Sequence, residues 1–224
     1  MASRREFVRF AAAGLGLAVA RAYAKARTAD EALRDLVAGN ERFAKGQPSS
    51  PRRRPEDFRA LAQAQYPEAV IVSCSDSRVA PEILFDVGVG DVFVIRVAGN
   101  VISGAGAMVK GSIEYAIAEL NAPLILVLGH SGCGAVKSAI KHIDAKDKLP
   151  GAIDGLVELV KPAVIKSRGM PGDPLENAIR ANVEIGVERL RGLQPILAPR
   201  VKSGTVKIAG GVYDLKTGLV TLLN

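Results

Sequence analysis

The chain has 224 residues, of which 48% are hydrophobic and 24% charged. That is the composition of a globular domain with a sizeable core, and it excludes wholesale disorder. Two cysteines and two histidines exclude a disulfide-stapled scaffold and a multi-zinc array, leaving room for one small metal site. The formal net charge is +7, but residues 1–24 carry +3 of it, with four arginines and one glutamate. The +4 that remains, with 4% aromatic residues, is an ordinary solubility charge, and no nucleic-acid partner is expected.

Ser3-Arg4-Arg5-Glu6-Phe7-Val8-Arg9 is followed by a mildly apolar run, Phe10 to Ala20, and then by Ala22-Tyr23-Ala24. A charged leader, a short apolar middle and a small-x-small ending predict an export signal over residues 1–24, too short to span a bilayer. The paired arginines resemble the twin-arginine signal, so the expected destination is the periplasm, with the membrane met only in transit.

Residues 25–224 read as a single α/β domain, of which 25–66 form a helical N-terminal arm. Thr28 and Glu31 make a capping box for a helix reaching about Lys45, with Leu33, Leu36, Val37 and Phe43 as its apolar stripe. That stripe needs a cover. The stretch Gln47–Pro55, with Arg52, Arg53 and Arg54, reads as a solvated connecting loop, and a short helix is predicted from Glu56 to Gln65. Three continuous apolar runs follow: Ala69–Ser73, Val92–Val97 and Leu124–Leu128. Continuous rather than alternating runs mark strands covered on both faces, and the helical stretches between and after them predict a central, mainly parallel sheet flanked by helices. Gly99 to Gly106 lacks a dinucleotide fingerprint and reads as a tight strand-to-helix turn. Asp173 and Pro174 open a further helix, with Glu176 expected to reach back to its cap and Leu175, Ile179, Val183, Val187 and Leu190 facing inward. A strand over Val206–Tyr213 turns through Lys216-Thr217-Gly218 into Leu219–Leu222 as a C-terminal hairpin.

The chemistry lies where two strands end. The first runs into Cys74-Ser75-Asp76-Ser77-Arg78 and the third into Gly129-His130-Ser131-Gly132-Cys133. In a parallel sheet these carboxyl ends share one edge, the edge at which open α/β sheets bind ligands. Two thiolates and an imidazole suit zinc, and three protein ligands leave the fourth tetrahedral position open, as in catalytic rather than structural sites. A reversible Cys74–Cys133 disulfide is the alternative; it gives His130, Asp76 and Arg78 nothing to do. His142, near a helix end, reads as a helix-terminal residue.

Cys74-x-Asp76-x-Arg78 with His130-x-x-Cys133 resembles the β-class carbonic anhydrase family, and the likeness runs from about Leu33 to Asp214 through Arg96-Val97-Ala98-Gly99-Asn100 and Gly211-Val212-Tyr213-Asp214. The resemblance implies one zinc ion per chain on Cys74, His130 and Cys133, and reversible hydration of carbon dioxide to bicarbonate. It casts Asp76 and Arg78 as the catalytic pair, Gln65 as a donor to substrate oxygen, and Phe93 and Tyr115 as an apolar substrate wall. It also implies a homodimer or a dimer of dimers, with the helical arm laid over the partner. Ile71 and Ser73 stand where one branch of the family has tryptophan and glycine, so Asp76 is expected to pair with Arg78 rather than bind the metal. Hydrolysis of carbon disulfide or carbonyl sulfide on the same scaffold remains the alternative activity.

Overall fold

The computed structural model describes residues 27–59, 61–102 and 106–223; the anticipated export signal lies outside them. Among the described residues five strands form one sheet: β1 (Ala69–Cys74), β2 (Val92–Val97), β3 (Leu124–His130), β4 (Lys207–Tyr213) and β5 (Val220–Leu223), in the order β2-β1-β3-β4-β5. The first four are parallel, and β5 returns antiparallel to β4. Strands β1 and β3 are buried along their whole length, as their unbroken apolar sequences require when both faces are covered. β2, at an edge, is mostly half-buried.

On one face, Val70, Val72, Ile125 and Val127 meet α4 (Gly106–Ala118), α5 (Gly134–Ala145), α6 (Ile153–Ser167), α7 (Pro174–Arg191) and α8 (Leu197–Lys202). On the other, Ile71, Leu124, Leu126 and Leu128 meet α1 (Ala29–Ala44) and α3 (Pro81–Leu84), with the short α2 (Pro55–Arg59) between those two in sequence. Among the described residues no helix is long and apolar enough to cross a membrane.

Helix α1 begins with the reciprocal Thr28–Glu31 capping box its sequence predicts. Part of its cover is the chain's own sheet. Ala32 and Leu36 are buried in the same cluster as Ile71, Leu124, Leu126 and Tyr213 of the chain's own sheet, so the arm is part of this domain's second layer. Asn40, buried, fastens it: Nδ2 donates to the Leu84 and Gly218 carbonyls at 3.1 and 2.9 Å, and Oδ1 accepts from the Val220 amide at 2.7 Å. The arginine loop is likewise more than solvated. Arg52 is paired with Asp91, and Arg53 Nη2 donates to the Glu82 carbonyl at 3.0 Å. Helix α2 ends at Arg59, short of the expected Gln65.

Candidate metal centre

Each prospective ligand sits at a strand or helix end. Cys74 closes β1, His130 closes β3, and Cys133 is the N-cap of α5. The parallel register fixes the convergence, since β1 and β3 lie side by side with their carboxyl ends together. The two Sγ atoms and a His130 ring nitrogen all fall within 4.8 Å of one another, and all three residues are buried. The thiols are free, not joined.

His130 is aimed by its own backbone neighbour. Nδ1 lies 3.1 Å from the Ser131 carbonyl, and a carbonyl only accepts, so Nδ1 carries the proton and Nε2 keeps its lone pair. Nε2 is buried and has no hydrogen-bond partner. An orphaned imidazole nitrogen beside two sulfurs is the donor set of zinc, whose tetrahedral radius places ligand atoms about 3.5–3.8 Å apart. The residues present therefore fit the ion.

The sulfurs are electrostatically unequal. Cys74 is pulled down to about 4, chiefly by the hydrogen bond from Cys133 and against the cost of burial, with the Asp76 and Gly99 backbone amides adding to the effect. The same contact, with burial, pushes Cys133 up. A metal binds both sulfurs as thiolates, so its entry would release any proton they hold. The Gly99 amide donates to the Cys74 sulfur at 3.2 Å.

At the mouth of the cluster, Arg78 forks onto Asp76: Nε to Oδ1 at 2.9 Å and Nη2 to Oδ2 at 2.7 Å, with the Arg78 amide also on Oδ1 at 3.0 Å. This grip holds the Asp76 carboxyl well below the usual carboxylate range. Asp76 Oδ2 lies 3.9 Å from His130 Nε2, beside the ligands without joining them. Arg96 braces the same turn from β2, donating to the Cys74 carbonyl at 3.0 Å and the Asp76 carbonyl at 2.6 Å.

The remaining candidates are elsewhere in the chain. Phe93 stands opposite Val70, four positions before the Val97–Cys74 pair, which is about 13 Å back along the strand at some 3.3 Å per residue. It packs against Tyr115 with ring centroids 6.2 Å apart. Gln65 is exposed in the segment that enters the opposite end of β1. None of the three is brought to the ligands within one chain. His142 is in the last turn of α5, with Nδ1 2.8 Å from Asp147 Oδ1, as a helix-terminal residue should be. Glu176 does not reach back to its own cap; Asp173 alone caps α7, and Glu176 Oε1 accepts from the Gly132 amide at 3.1 Å.

Comparison with known proteins gives this geometry a family. The carbonic anhydrase family model matches residues 69–220. A carbonic anhydrase of Mycolicibacterium smegmatis is 42% identical over 192 residues, covering 86% of this chain and 90% of the relative. The β-carbonic anhydrase CcaA superposes with a TM-score of 0.67 at 30% identity, over 86% of this chain and 95% of that one. The chain belongs to the β-class carbonic anhydrase family. Solved β-carbonic anhydrases of the ascomycete Sordaria macrospora, described as tetrameric, also match, with a TM-score of 0.68 at 27% identity over 84% of this chain and 94% of theirs. The chain is accordingly a carbonic anhydrase by family, and the Cys-His-Cys cluster is where such an enzyme's metal would sit.

Proposed function

We propose that this carbonic anhydrase converts carbon dioxide and water reversibly to bicarbonate and a proton, with zinc held by Cys74, His130 and Cys133. The observation that carries the reading is the orphaned, buried His130 Nε2 facing two free sulfurs beside a salt-locked carboxylate. When bound, zinc supplies Lewis-acid chemistry that makes hydroxide available near neutral pH.

The chain's own residues do the rest. An unpaired carboxylate at the mouth would repel a developing anion, and Arg78 offsets that charge while fixing the plane of Asp76. Asp76, so held, accepts a hydrogen bond from the attacking oxygen and turns its lone pair toward the carbon. Because both carboxylate oxygens are already on Arg78, Asp76 has little reason to become a fourth ligand. Gln65 would donate to the substrate oxygen that gains charge, and Phe93 and Tyr115 would form a wall suited to an uncharged gas.

Those last three reach the reaction only if another copy of the chain brings them. They lie toward the entry end of β1 and β2, whereas the ligands lie at the exit end. β2 is an edge strand, and Met108 and Tyr115 on α4 are 82% and 47% exposed. We therefore read the working unit as a homodimer or a dimer of dimers, a reading supported by the tetrameric description of the S. macrospora enzymes.

The test is metal analysis with stopped-flow hydration of carbon dioxide, carbon disulfide turnover being measured beside it. Stoichiometric zinc and rapid hydration are expected. Cys74→Ser and His130→Ala should lose the metal, while Asp76→Asn should keep it and lose about 10²-fold or more in rate. A metal-free, disulfide-linked protein would end the proposal. Residues 1–24 would deliver the enzyme to the periplasm by the twin-arginine route; Arg4→Lys with Arg5→Lys should leave it in the cytoplasmic fraction, and unchanged export would refute that route.

A further inference from the structure

Gly99 lies between the end of β2 and the glycine-rich turn, at φ 69° and ψ 18° inside a short 3-10 turn, Ala98–Asn100. Only glycine adopts this conformation without strain, and an added Cβ would also press to 3.3 Å from Ala135 Cβ. The residue that points an amide at the Cys74 sulfur is thus also a glycine in the left-handed region. Something must keep it still. Asn182, buried in the middle of α7, donates from Nδ2 to the Gly99 carbonyl at 2.8 Å.

That reach is possible because α7 is pressed onto the sheet. An added Cβ at Gly129, next to His130, would lie 2.7 Å from Val183 Cγ2, so the glycine lets the helix, and Asn182 with it, come close. The carbonyl and amide of Gly99 flank one Cα, and fixing the first narrows the directions open to the second. We propose that Asn182 is a positioning residue for the metal centre, holding Gly99 so that its amide remains on the Cys74 thiolate. The inference rests on the zinc reading above and adds to it a sulfur-tuning hydrogen bond controlled from a helix that contributes no ligand. An N–H donated to a metal-bound thiolate draws charge from the sulfur and fixes its lone pairs, and loss of such outer partners typically costs 10–100-fold in metal affinity.

The experiment uses the full-length protein loaded with zinc and, separately, with cobalt. In Asn182→Leu, chelator competition should show zinc held about 10–100-fold more weakly, and the thiolate-to-cobalt charge-transfer band should move to lower energy. A lowered unfolding temperature with affinity and band both unchanged would mean that Asn182 merely packs, and would overturn the proposal. Should Asn182→Leu fail to fold, Asn182→Ser is judged by the same two readouts. In the cadmium-loaded wild type, the Gly99 amide proton should show scalar coupling to the metal through the sulfur, and its absence would also overturn the proposal. Failure of the zinc reading is separately visible, because the wild type itself would then bind no stoichiometric metal.

Discussion

Asp76 and Arg78 are two residues apart, and that spacing lets a guanidinium close on a carboxylate within one turn. The planar fork matters as much as the charge. Both carboxylate oxygens receive a nitrogen, at 2.9 and 2.7 Å, which fixes orientation in a way a point charge does not. Arg78→Lys should therefore retain zinc yet lose one of the two hydrogen bonds that orient Asp76, and the hydration rate should fall about tenfold or more. Zinc content and stopped-flow rate on the same sample check it; an unchanged rate would show that charge alone suffices. At this scale the ligand set is open to a reader of the sequence, because Cys and His are rare in the chain and each follows an apolar run. Asn182 and Arg96 are not. One lies in the middle of an ordinary amphipathic helix and the other in an ordinary strand, and their role depends on backbone groups whose direction no side-chain pattern reveals.

The elements show a similar division. β1 and β3 announce themselves as unbroken apolar runs, and α1 and α7 by their N-caps. α6 does not, since Gly155 and Pro162 both disfavour a helix interior and its N-cap residue Ala152 has no side-chain cap; packing of Val157, Val160 and Val164 into the core decides the matter instead. The docking of α1 is silent in sequence only in part, because beside the buried Ala32 and Leu36 it is made by Asn40 and by one buried acid. Asp86, just past α3, is buried and accepts from Arg42 Nε at 2.7 Å and from the Ser49 amide, the Ser49 hydroxyl and the Ser50 amide, each at 2.8 Å. Burial alone would push its carboxyl up, but these donors outweigh that and hold it well below the usual range. Asp86→Ala leaves the donors facing nothing and should cost about 3 kcal/mol in denaturant unfolding. The depressed value also sets a sign. Its contribution is complete above about 3.9, the unfolded carboxylate value, and drains away as pH falls from there toward the folded one. Asp86→Asn tolerates the same positive φ of 47° and should lose that acid-side slope; an identical slope in wild type and variant would assign the pH dependence to other groups.

For the whole molecule, the decisive fact is that the residues proposed for one reaction lie at opposite ends of one sheet. Cys74 closes β1, whereas Gln65 precedes it and Phe93 sits four residues short of the end of β2. The apolar runs already carry this separation, since Gln65 precedes Ala69–Ser73 and Cys74 follows it; what they do not carry is how a second copy would bring the two ends together. A composite centre built across two copies makes a sharp expectation about mixtures. Cys74→Ser has no metal but retains a normal Gln65, and Gln65→Ala retains its metal but has no donor to lend. Each homodimer should be nearly inactive. Coexpressed and randomly paired, half of the dimers are mixed and each holds one complete centre, so the mixture should recover about a quarter of the wild-type rate. Recovery of that size requires residues from two chains at one metal; a mixture no faster than its parents would place Gln65 and the metal's work in the same chain, and a fully active Gln65→Ala would remove Gln65 from the reaction altogether.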